Sequence, residues 1–151
     1  MNKAKAAYDS LDAHLPLAKD IASASVPMGL LLAWCANMHL LSSAVVQEHE
    51  RLVLRIRFEE ATGSELLIAC GGDLSRELFT PQGQHFLDEF YPGYMDVFRG
   101  VFGDDCYVVS DNTANYRKLA KVLTQRYMGK IRPRRNTRPG LISKLTGWFR
   151  S

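Results

Sequence analysis

One mostly apolar run, Val26 to Leu41, constrains the fold of this chain more than any other stretch. Ser23 and Ser25 precede the run and can cap a helix, and Pro27 suits a first helical turn. Its large apolar residues recur at helical spacing: Leu30, Leu31, Trp34, Met38 and Leu41. A helix that is apolar on most sides lies at the centre of a domain. Because the run is shorter than the ~20 residues that cross a membrane, it predicts a buried core helix.

Two segments on either side of this run also have helical patterns. The spacing of leucines allows a short helix from Asn2 to about His14, ending before Pro16. Apolar residues from Val45 to Ile56 form a second helical stripe. Residues 52–58 also alternate like a strand, but no turn residue precedes them, so the pattern favours a helix there.

A third helix is marked at both ends by local signals. Thr62-Gly-Ser-Glu65 has the capping-box pattern, in which each side chain bonds to the backbone of the other residue. Gly71 and Gly72 follow and can adopt the positive φ that ends a helix. Residues 73–79 are predicted to form a turn or a short helical piece.

Aromatic residues at four-residue spacing mark the next helix: Phe86, Phe90, Tyr94, Phe98 and Phe102. Thr80 is its expected cap, and Pro81 suits its first position. Pro92 lies inside the stripe and lacks a backbone donor, so it predicts a kink or a restart near Tyr91. Gly103 is expected to stop the helix. A stripe of this kind is typical of a core rather than of a ligand cage.

The last helix of the body is predicted to begin at Asp111 as its cap and to end at Gly129. Its inward residues are Tyr116, Leu119, Leu123 and Tyr127. The segment from Cys106 to Val109 before it suggests a short extended piece. Together these patterns predict a mainly α fold, a single-domain helical bundle of about five to seven helices over residues 1–129.

Residues 130–151 differ from this body in charge and pattern. They hold seven of the 19 basic residues and no acid, which leaves the body with 12 basic and 16 acidic groups. A linker with two prolines precedes a short amphipathic helix. The predicted contact residues of this tail are Arg132, Arg134, Arg135, Arg138, Leu141, Leu145, Trp148 and Phe149.

The tail allows three interpretations. Its charge suits phosphates or the headgroups of an anionic membrane surface. Trp148 and Phe149 favour burial, and therefore a membrane or a protein groove over nucleic acid. The remaining alternative is that the tail folds back on the acidic body or is disordered.

No pattern in the chain predicts an enzyme, a cofactor or a metal. The four histidines have no metal-ligand spacing, and the two-glycine step at Gly71 lacks the lysine and threonine of a phosphate loop. Asp104, Asp105 and Asp111 lack the glycine and glutamate of a calcium loop, so capping and a solvated turn explain them better. Cys35, Cys70 and Cys106 are distant from each other and predict free thiols in a reducing cytoplasm.

The apolar run also carries a family resemblance. Gly29-Leu-Leu-Leu-Ala-Trp-Cys-Ala-Asn-Met-His-Leu-Leu-Ser42 resembles the "GMYLAWAIERGLVS" segment of a family of small, uncharacterised bacterial cytosolic proteins. The similarity covers about residues 26–129 and continues through these pieces: Gly63-Ser-Glu-Leu-Leu, Asp73-Leu, Thr80-Pro-Gln-Gly-Gln-His-Phe-Leu, Tyr94-Met-Asp-Val-Phe, Val101-Phe-Gly-Asp, Asn115-Tyr-Arg-Lys-Leu and Gln125-Arg-Tyr. Pro27 stands where that family often has a histidine, and Pro92 is unusual there.

Proteins of that family resemble immunity proteins found beside polymorphic and secreted antibacterial toxins. The resemblance implies a cytoplasmic protein that binds a cognate toxin or effector domain and neutralises it by stoichiometric contact. An acidic body suits a basic toxin face, because charge complementarity speeds association. The acidic residues predicted as contacts by charge and exposure are Glu48, Glu59, Glu60, Asp88, Glu89, Asp104 and Asp105.

Overall fold

The central helix, α1, runs from Ile21 to Asn37 in the computed structural model, which describes residues 7–131. Six further helices follow: α2 Ser43–Glu48, α3 Glu50–Arg57, α4 Gly63–Ala69, α5 Pro81–Phe90, α6 Tyr94–Phe102 and α7 Thr113–Ile131. Shorter helical turns lie at Leu11–His14, Leu15–Leu17, Arg76–Leu78, Tyr91–Gly93 and Cys106–Val108. The prediction of a mainly α single domain is confirmed.

Helix α1 is the core helix that the apolar run predicts, but it begins earlier than expected. Asp20, not Ser23 or Ser25, caps it by accepting the backbone N–H of Ser23 at 2.8 Å. Pro27 therefore lies inside the helix, and the buried hydroxyl of Tyr94 donates to its carbonyl oxygen at 2.5 Å. Every residue from 24 to 36 is buried. The helix ends before Leu41 because the chain turns at His39, whose φ is 59°.

Helices α1 and α4 cross with their backbones in contact. A Cβ on Gly63 would lie 1.8 Å from the carbonyl oxygen of Gly29, and a Cβ on Gly29 would lie 2.4 Å from Oγ of Ser64. Only residues without side chains allow so close an approach. This crossing holds α4 against the middle of the core helix and places the loop before Gly63 at the surface.

The N-terminal segment is a strand where a helix was predicted. Ala7–Ser10 forms β1, which pairs antiparallel with β2, Asp73–Ser75. Only the single turn Leu11–His14 is helical within the predicted span that the structure describes. The prediction was wrong because the strand is stabilised by a distant partner, which no local pattern reveals.

The other local predictions are largely confirmed. Residues 52–57 are helical, with a break at His49 that divides the predicted helix into α2 and α3. The chain restarts at Pro92, where a short 3-10 turn separates α5 from α6, and Gly103 has a φ of 101°. The predicted extended piece at Cys106 is a 3-10 turn instead, and α7 continues past Gly129 to Ile131.

The aromatic stripe forms the second half of the core. Phe86, Phe90, Tyr94 and Phe98 are buried. Trp34 of α1 packs against Phe86 at 5.6 Å between ring centroids. Cys35 and Cys106 are buried and Cys70 is half-buried, and all three are free thiols. Within residues 7–131, no helix combines the length and the apolar character needed to cross a membrane.

Candidate functional site

An open groove of about 310 Å³ lies where α1, the loop between α3 and α4, and the start of α7 meet. Its floor is apolar, from Ala33, Ile56 and Ala61, and its walls are polar. The polar lining residues are Asn37, Glu59, Glu60, Thr62, Glu65, Asp111, Asn112, Thr113 and Tyr116. We call this the acidic groove, because its lining within residues 7–131 contains four carboxylates and no basic residue.

Two of the four carboxylates have partners beside the groove. Glu59 is bonded by the guanidinium of Arg117, with Nη2 2.8 Å from Oε1. Glu65 completes the predicted capping box by accepting the backbone N–H of Thr62 at 2.8 Å. Glu59 also has a φ of 62°, a left-handed conformation that costs a glutamate about 1–2 kcal/mol. The loop is therefore held in an unusual shape at the groove.

Asp111 is the most enclosed of the four, and its role differs from the prediction. It does not cap α7, because Asn112 does so by accepting the N–H of Asn115 at 2.8 Å. The carboxylate of Asp111 instead accepts the hydroxyl of Ser64 at 2.5 Å and its N–H at 3.3 Å. Burial raises the pKa of Asp111, and the two bonds from Ser64 oppose this effect only in part. A cation entering the groove would relieve that cost.

The carboxylate of Glu60 accepts no hydrogen bond from the described residues. The backbone carbonyl oxygen of Glu60 accepts a bond from Nη2 of Arg55 at 2.9 Å. Glu60 is exposed, so its carboxylate is accessible to solvent. On the other wall, the Asn37 amide donates to the hydroxyl of Tyr116 at 2.9 Å and fixes that ring. The groove thus combines an apolar floor with a negatively charged rim, which would attract a group of opposite charge.

The other predicted contacts are exposed but lie outside this groove. Glu48 and the loop residues Asp104 and Asp105 are exposed. Asp88 of α5 accepts bonds from Arg76 and Tyr8, each at 2.7 Å. Glu89 pairs with Lys130 at 2.5 Å. Of the seven predicted contacts, only Glu59 and Glu60 line the acidic groove. Glu65 and Asp111 also line it, but the sequence did not identify them as contact residues.

The predicted tail contacts, Arg132, Arg134, Arg135, Arg138, Leu141, Leu145, Trp148 and Phe149, lie outside the described residues. Among residues 7–131 no group of three or more histidine, cysteine or acidic side chains is arranged to hold a metal ion. The acidic groove presents its carboxylates as an open, charged surface that suits a partner of opposite charge.

A second, partly buried polar cluster surrounds Asp9 of β1. Asp9 accepts Nε2–H of His14 at 2.7 Å and the hydroxyl of Tyr91. Nδ1 of His14 lies 2.5 Å from the hydroxyl of Tyr107. Burial would raise the pKa of Asp9, but the bonds from His14 and Tyr91 outweigh it and lower the pKa. The cluster ties β1 to the body, and it buries His14, a residue that is only 6% exposed.

The chain belongs to the family described as Domain of unknown function (DUF7832), which matches residues 1–117. The match covers β1, the core helix, and every residue of the acidic groove. No curated protein and no solved structure matches the chain.

Proposed function

We propose that this chain is an immunity-type interaction protein, which binds a cognate bacterial toxin or effector domain by direct stoichiometric contact in the cytoplasm. We place the contact at the acidic groove. The observation that carries this proposal is the convergence of Glu59, Glu60, Glu65 and Asp111 on one surface depression, with no base in the lining that the described residues form. Residues 26–129 resemble a family of small, uncharacterised bacterial proteins whose members resemble toxin-associated immunity proteins, and this resemblance supports the same class.

The physical argument starts from charge. The body formed by residues 1–129 has a balance of −4, and the acidic groove concentrates four acids over a low-dielectric floor. Such a cleft focuses the field and steers a basic partner toward it. A lysine or arginine inserted between Glu60 and Asp111 would give these carboxylates a cationic partner, which neither has within residues 7–131. Binding of this kind silences a toxin without any chemical step, so the proposal requires no catalytic residue and no cofactor.

The test uses the full chain and the product of a toxin-domain gene adjacent to its own gene. Calorimetry is expected to give a one-to-one complex. Glu60→Lys should weaken binding about tenfold or more, because a reversed charge facing a basic partner costs at least ~1.4 kcal/mol. The carboxylate of Glu60 makes no hydrogen bond within residues 7–131, so this variant keeps the fold.

Glu48→Lys is the matched control, because Glu48 is equally acidic and exposed but lies on α2 outside the groove. It should bind with unchanged affinity. Equal weakening by both variants would show that overall charge, not the groove, determines binding. The immunity proposal itself fails if the neighbouring product does not bind the wild-type chain, or if the chain does not protect cells that express it.

A further inference from the structure

A second groove runs along α6 and α7, and it shares no lining residue with the acidic groove. Two depressions, of about 480 and 250 Å³, share Gly93, Val97 and Arg126 in their walls and therefore form one continuous surface. Val101 and Val122 extend its apolar lining, and all three valines are half-buried. We call it the α6–α7 groove.

The α6 wall of this groove is shaped for close approach. A Cβ added to Gly93 or Gly100 would meet no atom within 4 Å, so the space above both residues is open. Gly93, Val97, Gly100 and Val101 recur at helical spacing and present one stripe. A helix can lie against small residues of this kind with its backbone close to theirs. From Gly93 to Val101 the wall is roughly 12 Å long.

The C-terminal end of α7, from which the tail continues, lies at one end of the groove. Lys130 lines the groove and pairs with Glu89 at 2.5 Å, which holds the last turn of α7 against α5. Residues 132–140 follow in the sequence and include Pro133 and Pro139. Nine residues reach up to about 30 Å when extended, which is ample for a reversal of direction.

The sequence beyond this connection fits the groove in pattern and length. Its apolar residues lie at i, i+1, i+4, i+7 and i+8: Leu141, Ile142, Leu145, Trp148 and Phe149. As a helix this segment is roughly 12 Å long, equal to the α6 wall. The groove lining holds Glu89, Asp96, Arg126 and Lys130, two acids and two bases, so it does not repel the basic tail.

We propose that residues 141–149 of the same chain fold back as an amphipathic helix and occupy the α6–α7 groove. The chain's own segment is favoured over a second copy because a short connection gives an effective concentration on the order of millimolar, well above micromolar protein. It is favoured over a membrane because the groove is part of the molecule at every concentration. Docking buries Trp148 and Phe149 against the three valines and Gly100, and does not depend on the role of the acidic groove.

Trp148 is a built-in reporter. The chain has two tryptophans, and Trp34 is 1% exposed. Acrylamide quenching of the full chain, corrected with Trp148→Phe, therefore measures the exposure of Trp148. A tenfold docking equilibrium leaves about one tenth of the molecules open, so quenching of Trp148 should be several-fold weaker than for a free tail.

Two variants release the tail from opposite sides. Gly100→Phe places a ring in the groove from a position where an added Cβ meets no atom within 4 Å. Leu145→Asp puts a charge in the middle of the apolar stripe of the tail. Both should raise the quenching of Trp148 several-fold, with unchanged circular dichroism of the body. Lys121→Phe, at an exposed position of α7 outside the groove, is the control and should leave Trp148 protected.

Three results would overturn the proposal. Equal quenching of Trp148 in the wild type and in Leu145→Asp means that the tail is free. Protection that rises with protein concentration together with dimer formation assigns the groove to a second copy. Protection that is observed only with vesicles of anionic lipid assigns the tail to a membrane surface.

Discussion

Replacing Gly63 with alanine should damage the contact on which the core depends. The new Cβ would lie 1.8 Å from the carbonyl oxygen of Gly29 and 2.8 Å from the backbone nitrogen of Ala33. The first distance is about 1.6 Å short of the 3.4 Å at which ordinary van der Waals contact begins. Because both obstacles are helix backbone, no rotamer change relieves them, and α1 and α4 must move apart.

Overpacking of a core costs typically 1–3 kcal/mol, and a backbone obstacle places Gly63→Ala at about 3 kcal/mol. A domain of this size has ~5–15 kcal/mol of stability, so most of the protein stays folded and the loss is measurable. Urea unfolding followed by circular dichroism gives the free energy of unfolding by linear extrapolation.

Gly129→Ala is the matched control for this experiment. Gly129 lies within α7 and outside both grooves, with open space around it, so alanine there should stabilise the protein by about 0.5–1 kcal/mol through helix propensity. Opposite signs for the two glycines are expected. A loss below ~1 kcal/mol for Gly63→Ala would refute the claim that the crossing is tightly packed.

Three other substitutions test single features. His39→Gly should stabilise the protein by about 0.5–1 kcal/mol, because glycine adopts the φ of 59° without strain; urea unfolding measures the gain. Asp9→Asn should lose roughly 1–3 kcal/mol at neutral pH, since His14 then loses a charged acceptor. The lowered pKa of Asp9 means that its contribution is present above 3.8, the ordinary value, and is lost as pH falls through the folded pKa. The gap between wild type and Asp9→Asn should therefore close in acid. Asp111→Asn should keep the bonds from Ser64 and cost less than ~1 kcal/mol. Since the pKa of Asp111 is raised, the wild type should lose stability relative to this variant as pH rises above 3.8 toward the folded pKa, which unfolding at a series of pH values detects.

The features that the sequence predicted correctly are those decided by neighbours along the chain. The capping box of Thr62 and Glu65, the start of α5 at Thr80, and the restart at Pro92 depend on groups three or four residues apart. The interacting groups are close neighbours in the sequence, so the pattern can predict their geometry without knowledge of the fold.

The features that were missed depend on distant partners. Ser64 and Asp111 are 47 positions apart, and His14 and Tyr107 are 93 apart. Asp111 is a residue type that often caps helices, and only the fold brings Ser64 close enough to donate to it instead. Charge and exposure identified Glu60, but they did not show that it shares a depression with Asp111. That convergence arises from the fold.

The crossing of α1 and α4 also affects how a partner would bind in the acidic groove. Gly63 and Ala33 belong both to that crossing and to the wall of the acidic groove. The outline of the depression is therefore set in part by a closely packed backbone crossing, which should limit the entropy lost on docking. A partner should therefore bind the groove with little conformational change, so the free and bound structures should superimpose there. The association rate constant should fall as the salt concentration rises.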